Sequence, residues 1–148
     1  MITLSCLLAL EVLGLPTQPS GWNDDYGLAL RQARAAKKPL AVFIGTGKDG
    51  WKAVCSEGDL GPEVRRLLAE EYVCLYVDAG RAAHKELAQS FEAAQAPLLV
   101  LSSRCGAYQA YRHEGAQANA NLALALRRHA TEEAAPVANA GYQAPCRT

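Results

Sequence analysis

The chain has 148 residues, half of them apolar and a fifth charged, with fifteen basic and fifteen acidic side chains that cancel to no net charge. That length builds one domain with a real core, and the balanced charge argues against a basic nucleic-acid surface and against an acidic tail for a basic partner. The five cysteines, Cys6, Cys55, Cys74, Cys105 and Cys146, are widely spaced and contain no C-x-x-C pair, which excludes a zinc ribbon and a dithiol redox motif.

The first element is an apolar run at residues 2–15 that ends before Pro16. It is too short for a membrane span. It resembles the apolar region of a secretory signal, although no Lys or Arg precedes it, Glu11 sits inside it and no A-x-A cleavage site follows. Two expectations stand side by side. Either residues 1–21 are a signal peptide and linker on an exported protein, periplasmic or secreted, or the run docks on the core of a cytoplasmic one.

Asn23, Asp24 and Asp25 can cap a helix whose apolar positions are Tyr26, Leu28, Leu30, Ala33 and Ala36. Lys37 and Lys38 suit its carboxyl end, and Pro39 stops it. Residues 40–44 are continuously apolar, the pattern of a strand covered on both faces. A glycine-rich loop leads to a helical turn at residues 51–56, interrupted by Gly58 and the Gly61-Pro62 pair. Pro62 opens a helix through residue 71 that carries Val64, Leu67 and Leu68 on one face.

Residues 72–77 read as the next strand and 82–94 as a helix, with Leu87, Ala88 and Phe91 inward. Residues 97–101 form a third strand, 102–106 a turn and 107–112 an alternating strand that closes a hairpin at a sheet edge. A last helix covers 119–129, and residues 131–148 read as a loose tail without periodicity. Two α-β crossovers predict a parallel core to which the hairpin adds antiparallel strands. The fold class is an α/β sandwich: a central mixed sheet with helices on both faces.

Several stretches together carry a resemblance. They are Lys38-Pro39 before the first strand, Trp51 and Cys55 after it, and Pro62-Glu63-Val64 with Leu67-Leu68. The strand from Tyr72 to Asp78, the Ala96-Pro97-Leu98 segment, Gly106 and Gly115 complete the set. Over residues 22–130 the chain resembles the thioredoxin-like superfamily in the order and spacing of these pieces. The resemblance implies that fold, a cis bond at Pro97, and a peptide-facing surface formed by Trp51, Lys52, Ala96 and Pro97.

The same resemblance aligns W-K-x-x-C with the W-C-x-x-C redox site. An attacking thiol at a helix N-terminus is stabilised there as thiolate, and a second thiol resolves the mixed disulfide. Lys52 stands where the attacking thiol belongs, and an amine cannot take its part. Cys55 matches the resolving position. The expectation is therefore an interaction or structural domain without dithiol–disulfide oxidoreductase activity, with no cofactor and a protein or peptide as partner. The alternative is a thiol oxidoreductase or redox sensor that uses Cys55 with Cys74 or Cys105, its pKa lowered by Lys52 and the helix terminus.

Other patterns weigh less. Gly45-x-Gly47-x-x-Gly50 satisfies a dinucleotide fingerprint, but the following helix is broken and Asp78 lies beyond the usual spacing of the ribose-binding acid. His84, His113 and His129 lack metal-ligand spacing and read as solvated. In an oxidising compartment Cys105 and Cys146 could pair.

Overall fold

The computed structural model of the protein describes residues 19–131. The apolar run, the Cys6 position and the tail with Cys146 lie outside these residues, as do the expectations that fall on them. The first helix, α1, spans Tyr26–Ala36 and begins at Asp25, whose carboxylate accepts the Leu28 N–H at 2.6 Å. It ends at Lys37 in the left-handed conformation (φ 54), whose N–H returns to the carbonyls of Ala33 and Arg34.

Strand β1, Pro39–Gly45, is buried along its whole length. A 3-10 turn, Gly50–Val54, leads to α2, Pro62–Glu71, which starts with proline at a position where the missing N–H is harmless. Strand β2 is Val73–Asp78. A 3-10 turn at Ala82–His84 runs into α3, Lys85–Ser90. The hairpin is β3, Leu98–Arg104, and β4, Gln109–Glu114, and α4 spans Asn119–Thr131.

The sheet order is β2-β1-β3-β4. β1 and β2 are parallel, with Leu40 opposite Val73 and Gly45 opposite Asp78. β3 runs antiparallel to β1, with Ile44 opposite Leu98, and β4 is antiparallel to β3. The sheet is mixed, but the expected parallel core shrinks to one pair of strands. The reason lies in the connection. A parallel third strand needs a helix that carries the chain back along the sheet, and α3 at about 1.5 Å per residue covers roughly half the length of β2. Its carboxyl end is sealed early: Glu92 takes φ 53 and the Ala93 N–H returns to the Ala88 carbonyl.

The hairpin also differs from expectation. Ser102 and Ser103 are buried inside β3, not in a turn. Strand pairing shifts register there, and the Ser102 hydroxyl accepts the Leu40 N–H at 2.7 Å, replacing a carbonyl in the ladder. The turn narrows to Cys105 and Gly106, both at positive φ.

Side chains alternate across the pleat. Ala41, Phe43, Cys74, Tyr76, Leu99 and Leu101 face α2, α4 and the first 3-10 turn. Leu40, Val42, Ile44, Leu75, Val77, Leu98 and Val100 face α1 and α3. Helices thus cover both faces, as the continuous apolar run of β1 requires. Full burial of a side chain such as Phe43 or Leu126 contributes roughly 1.5–3 kcal/mol.

Candidate functional site

The loop after β1 folds back on itself because two glycines meet. A Cβ on Gly45 would lie 2.5 Å from the Gly50 carbonyl carbon. The Tyr76 hydroxyl donates to the Gly47 carbonyl, and the Asp78 carboxylate accepts the N–H groups of Gly47 and Gly80, each at 2.9 Å. Burial, with the Asp78 charge second, pushes the Tyr76 hydroxyl up to about 12. The Gly47 amide that a dinucleotide fingerprint would offer to phosphate is already taken by Asp78. A five-residue 3-10 turn follows in place of a long helix, so the glycine pattern serves the turn.

Trp51 opens that turn and points inward. It is 1% exposed, 5.5 Å from the Trp22 ring, which in turn lies 4.7 Å from Phe43. Its aromatic surface closes the core. Lys52 is half-buried, with Nζ 5.4 Å from the Trp51 ring centroid, and the Arg65 guanidinium lies 5.8 Å from the same ring.

Cys55 ends the turn, its N–H bonded to the Lys52 carbonyl at 3.1 Å. The segment then pairs with the chain entering α4: Ser56 N–H donates to the Gln117 carbonyl and Gln117 N–H to the Val54 carbonyl. The Cys55 side chain is 2% exposed, and its thiol donates to Glu57 Oε2 at 2.9 Å. The same carboxylate oxygen accepts the Asn119 N–H at 2.9 Å in the first turn of α4. Asn119 in turn ties the loop down, accepting the Gly61 N–H and donating to the Asp59 carbonyl.

Burial first, and then the hydrogen bond to Glu57, pushes the Cys55 thiol up. The Cys55 hydrogen bond and then the Asn119 N–H hold the Glu57 carboxyl down. This reverses the expectation that Lys52 and a helix terminus lower the Cys55 pKa. Burial disfavours the thiolate, and the neighbouring anion adds to this because it gains from keeping the S–H donor.

The Ala96–Pro97 peptide bond is cis. The Pro97 carbonyl accepts the Gly115 N–H at 2.8 Å, two residues before Gln117 meets the Cys55 segment. Pro97 and Cys55 thus share one end of the sheet, with Ala96 exposed beside them. Cys105 sits beyond the far end of β3 and is disulfide-bonded. Seven strand residues at about 3.3 Å each separate the two ends, several times the ~4.4–6.8 Å that a disulfide allows between Cα atoms. A Cys55–Cys105 pair is excluded. Cys74 is a free, buried thiol on the central face, pushed up by burial, with its sulfur 3.7 Å from the Leu68 carbonyl.

Two features escaped sequence reasoning. The first is Glu57, whose role depends on where α4 begins in space. The second is His84, which is 8% exposed and not solvated: its Nδ1 accepts the Asp78 N–H at 3.1 Å and caps the end of β2. His129 lies against Tyr111, with ring centroids 5.1 Å apart. A cleft of about 330 Å³ opens between residues 19–22 and α2, lined in part by Trp22, Leu60, Arg65 and Cys74, and is separate from Cys55 and Pro97. Among the described residues, no cluster of His, Cys, Asp or Glu is placed to hold a metal ion, and no helix is long and apolar enough to cross a membrane.

No protein-family profile and no curated protein matches the sequence. Solved structures do. A thioredoxin from Thermus thermophilus superposes with a TM-score of 0.58 at 23% identity, covering 73% of this chain and 86% of that one. A DsbH oxidoreductase gives 0.57 at 18%, covering 80% and 93%. A thioredoxin from Nicotiana alata gives 0.55 at 18%, covering 78% and 98%. The chain has the α/β thioredoxin-like fold.

Proposed function

We propose that this thioredoxin-like domain does not catalyse dithiol–disulfide exchange and serves as an interaction or structural domain. The carrying observation is the pair formed by Lys52 and Cys55. An amine occupies the attacking position, and the one thiol of the motif is buried and donates its proton to Glu57. Exchange needs a thiolate with access to a disulfide sulfur, and both conditions work against Cys55. The partner-facing surface is then Lys52, Ala96 and Pro97, with Trp51 supporting it from below. Export fits the oxidised Cys105 and the apolar run at residues 2–15, since disulfides persist in oxidising compartments. Mass spectrometry of the protein from its own host should then find an N-terminus at residues 16–21, and an intact Met1 would rule out cleavage.

Reduction of insulin disulfides tests the reading. Wild-type protein should show no catalysis. Lys52→Cys should introduce at least weak activity, because the Cys55 N–H to Lys52 carbonyl bond places the two residues across a tight turn, within the ~7 Å Cα separation of such turns. Wild-type turnover that is abolished by Cys55→Ser would defeat the proposal.

A further inference from the structure

Strand β4 lies at the end of the sheet order, so one of its edges has no strand beside it among the described residues. The ladder fixes which groups that edge presents. Gly115 N–H bonds the Pro97 carbonyl, and in the antiparallel register Leu99 stands opposite His113 and Leu101 opposite Tyr111. Hydrogen-bonded pairs alternate with non-bonded ones. His113 and Tyr111 therefore turn their backbone groups toward β3. Arg112 and Glu114, opposite Val100 and Leu98, turn theirs outward. The outward backbone groups thus belong to a basic and an acidic residue two positions apart on one face of the strand, and the two side chains are already joined at 2.9 Å.

We propose that this edge pairs with the same edge of a second copy of the chain, antiparallel and two-fold symmetric about His113. Only residues with outward backbone groups can face each other as hydrogen-bonded pairs, which leaves few registers. Centring on Arg112 or on Glu114 sets like charges directly opposite. Centring on Tyr111 sets Arg112 against Ala110. Centring on His113 sets Arg112 opposite the Glu114 of the other copy, twice, with four backbone hydrogen bonds between them. Opposite charges directly across a strand pair favour it and like charges oppose it. Charges on an edge ordinarily block pairing; here their alternation selects one register and disfavours the neighbouring ones. The chain carries no net charge, so copies do not repel at long range. The inference is independent of whether Cys55 is catalytic.

The test is sedimentation equilibrium of the full chain over a concentration series, with three variants. Wild type should show a reversible monomer–dimer equilibrium. Glu114→Lys places a cation against Arg112 of the other copy and should leave monomer. Glu114→Pro removes an outward N–H without touching a β3–β4 hydrogen bond and should also leave monomer. His113→Cys should form a symmetric intermolecular disulfide on oxidation, because its two copies face each other at a non-hydrogen-bonded position, while Glu114→Cys should not. Wild type at single-chain mass at every concentration would overturn the proposal. So would a dimer that survives both Glu114 variants, or a monomer whose Arg112 and Glu114 amides are protected from exchange, since the chain's own terminal residues would then cover the edge.

Discussion

The two cysteines that are free among the described residues, Cys55 and Cys74, are both buried and both hold their protons more tightly than an ordinary thiol, yet for different reasons. Cys74 sits near the start of β2 beneath α2, where the medium itself disfavours a thiolate and Lys38 only partly opposes that. Cys55 lies under a surface loop, and its proton is also held by an exposed carboxylate parked on the first turn of α4. One thiol is silenced by its surroundings as a whole, the other partly by one replaceable group. A cysteine under a loop need not be reactive, because reactivity follows from access and from the charge the neighbours favour.

The largest expected effect is on alkylation. Cys74 can react only when the fold opens, whereas Cys55 needs the loop of residues 55–61 to lift. Local openings cost less free energy than global unfolding. Iodoacetamide labelling followed by mass spectrometry should therefore find Cys55 faster than Cys74 by on the order of a thousandfold, a difference of ~4 kcal/mol in opening free energy. Equal rates would mean that the loop opens only with the core.

A smaller change should follow from Glu57→Gln. Loss of the anion should move the Cys55 pKa down toward the ordinary thiol value. Labelling at mildly alkaline pH should rise by up to about tenfold, one pKa unit, while Cys74 stays unchanged. An unchanged Cys55 rate would assign its protection to burial alone. The stability linkage has a definite sign for both thiols. Their folded pKa values lie above the unfolded ones, so their contribution is complete below the ordinary thiol pKa. It is lost as pH rises past that value, when the unfolded chain releases protons that the fold retains. Chemical denaturation between neutral and strongly alkaline pH should show the decline, and Cys74→Ala should reduce it more than Cys55→Ala.

The smallest effect concerns Glu63, which also ties the region to α4. Arg66 and then Arg127 of α4 hydrogen-bond its carboxylate and lower its pKa to about 2. A depressed carboxyl contributes above its unfolded pKa and loses that contribution as pH falls toward the folded value. Carboxyl-detected NMR titration should place the Glu63 midpoint near 2, and Arg127→Ala should raise it while leaving Cys55 labelling unaltered. A coupled change at Cys55 would show that the Glu57 and Glu63 contacts with α4 act as one unit.

How far the sequence reaches can be judged from particular elements. The apolar run at residues 40–44, the Asp25 cap, the Pro62 start and the faces of α2 are local patterns, and each appears where it was expected. The candidate site is legible only in outline: Lys52 and Cys55 are visible as a broken motif, whereas Glu57 is not, since its partner is an N–H 62 residues away. The direction of β3 follows from where α3 ends, and beyond that end Glu92 takes a left-handed conformation that its side chain does not advertise.

The sequence by itself determined the α/β class, the order of elements, the central buried strand and the absence of a C-x-x-C pair, because periodicity, capping and composition act over a few neighbouring residues. Only the tertiary structure decided that Trp51 turns inward, that His84 caps β2, that Cys55 and Cys105 lie at opposite ends of the sheet, and that burial, with a carboxylate second, pushes the Cys55 thiol up. Those outcomes are set by burial and by hydrogen bonds between residues brought together by the chain path, and neither quantity is carried by local spacing.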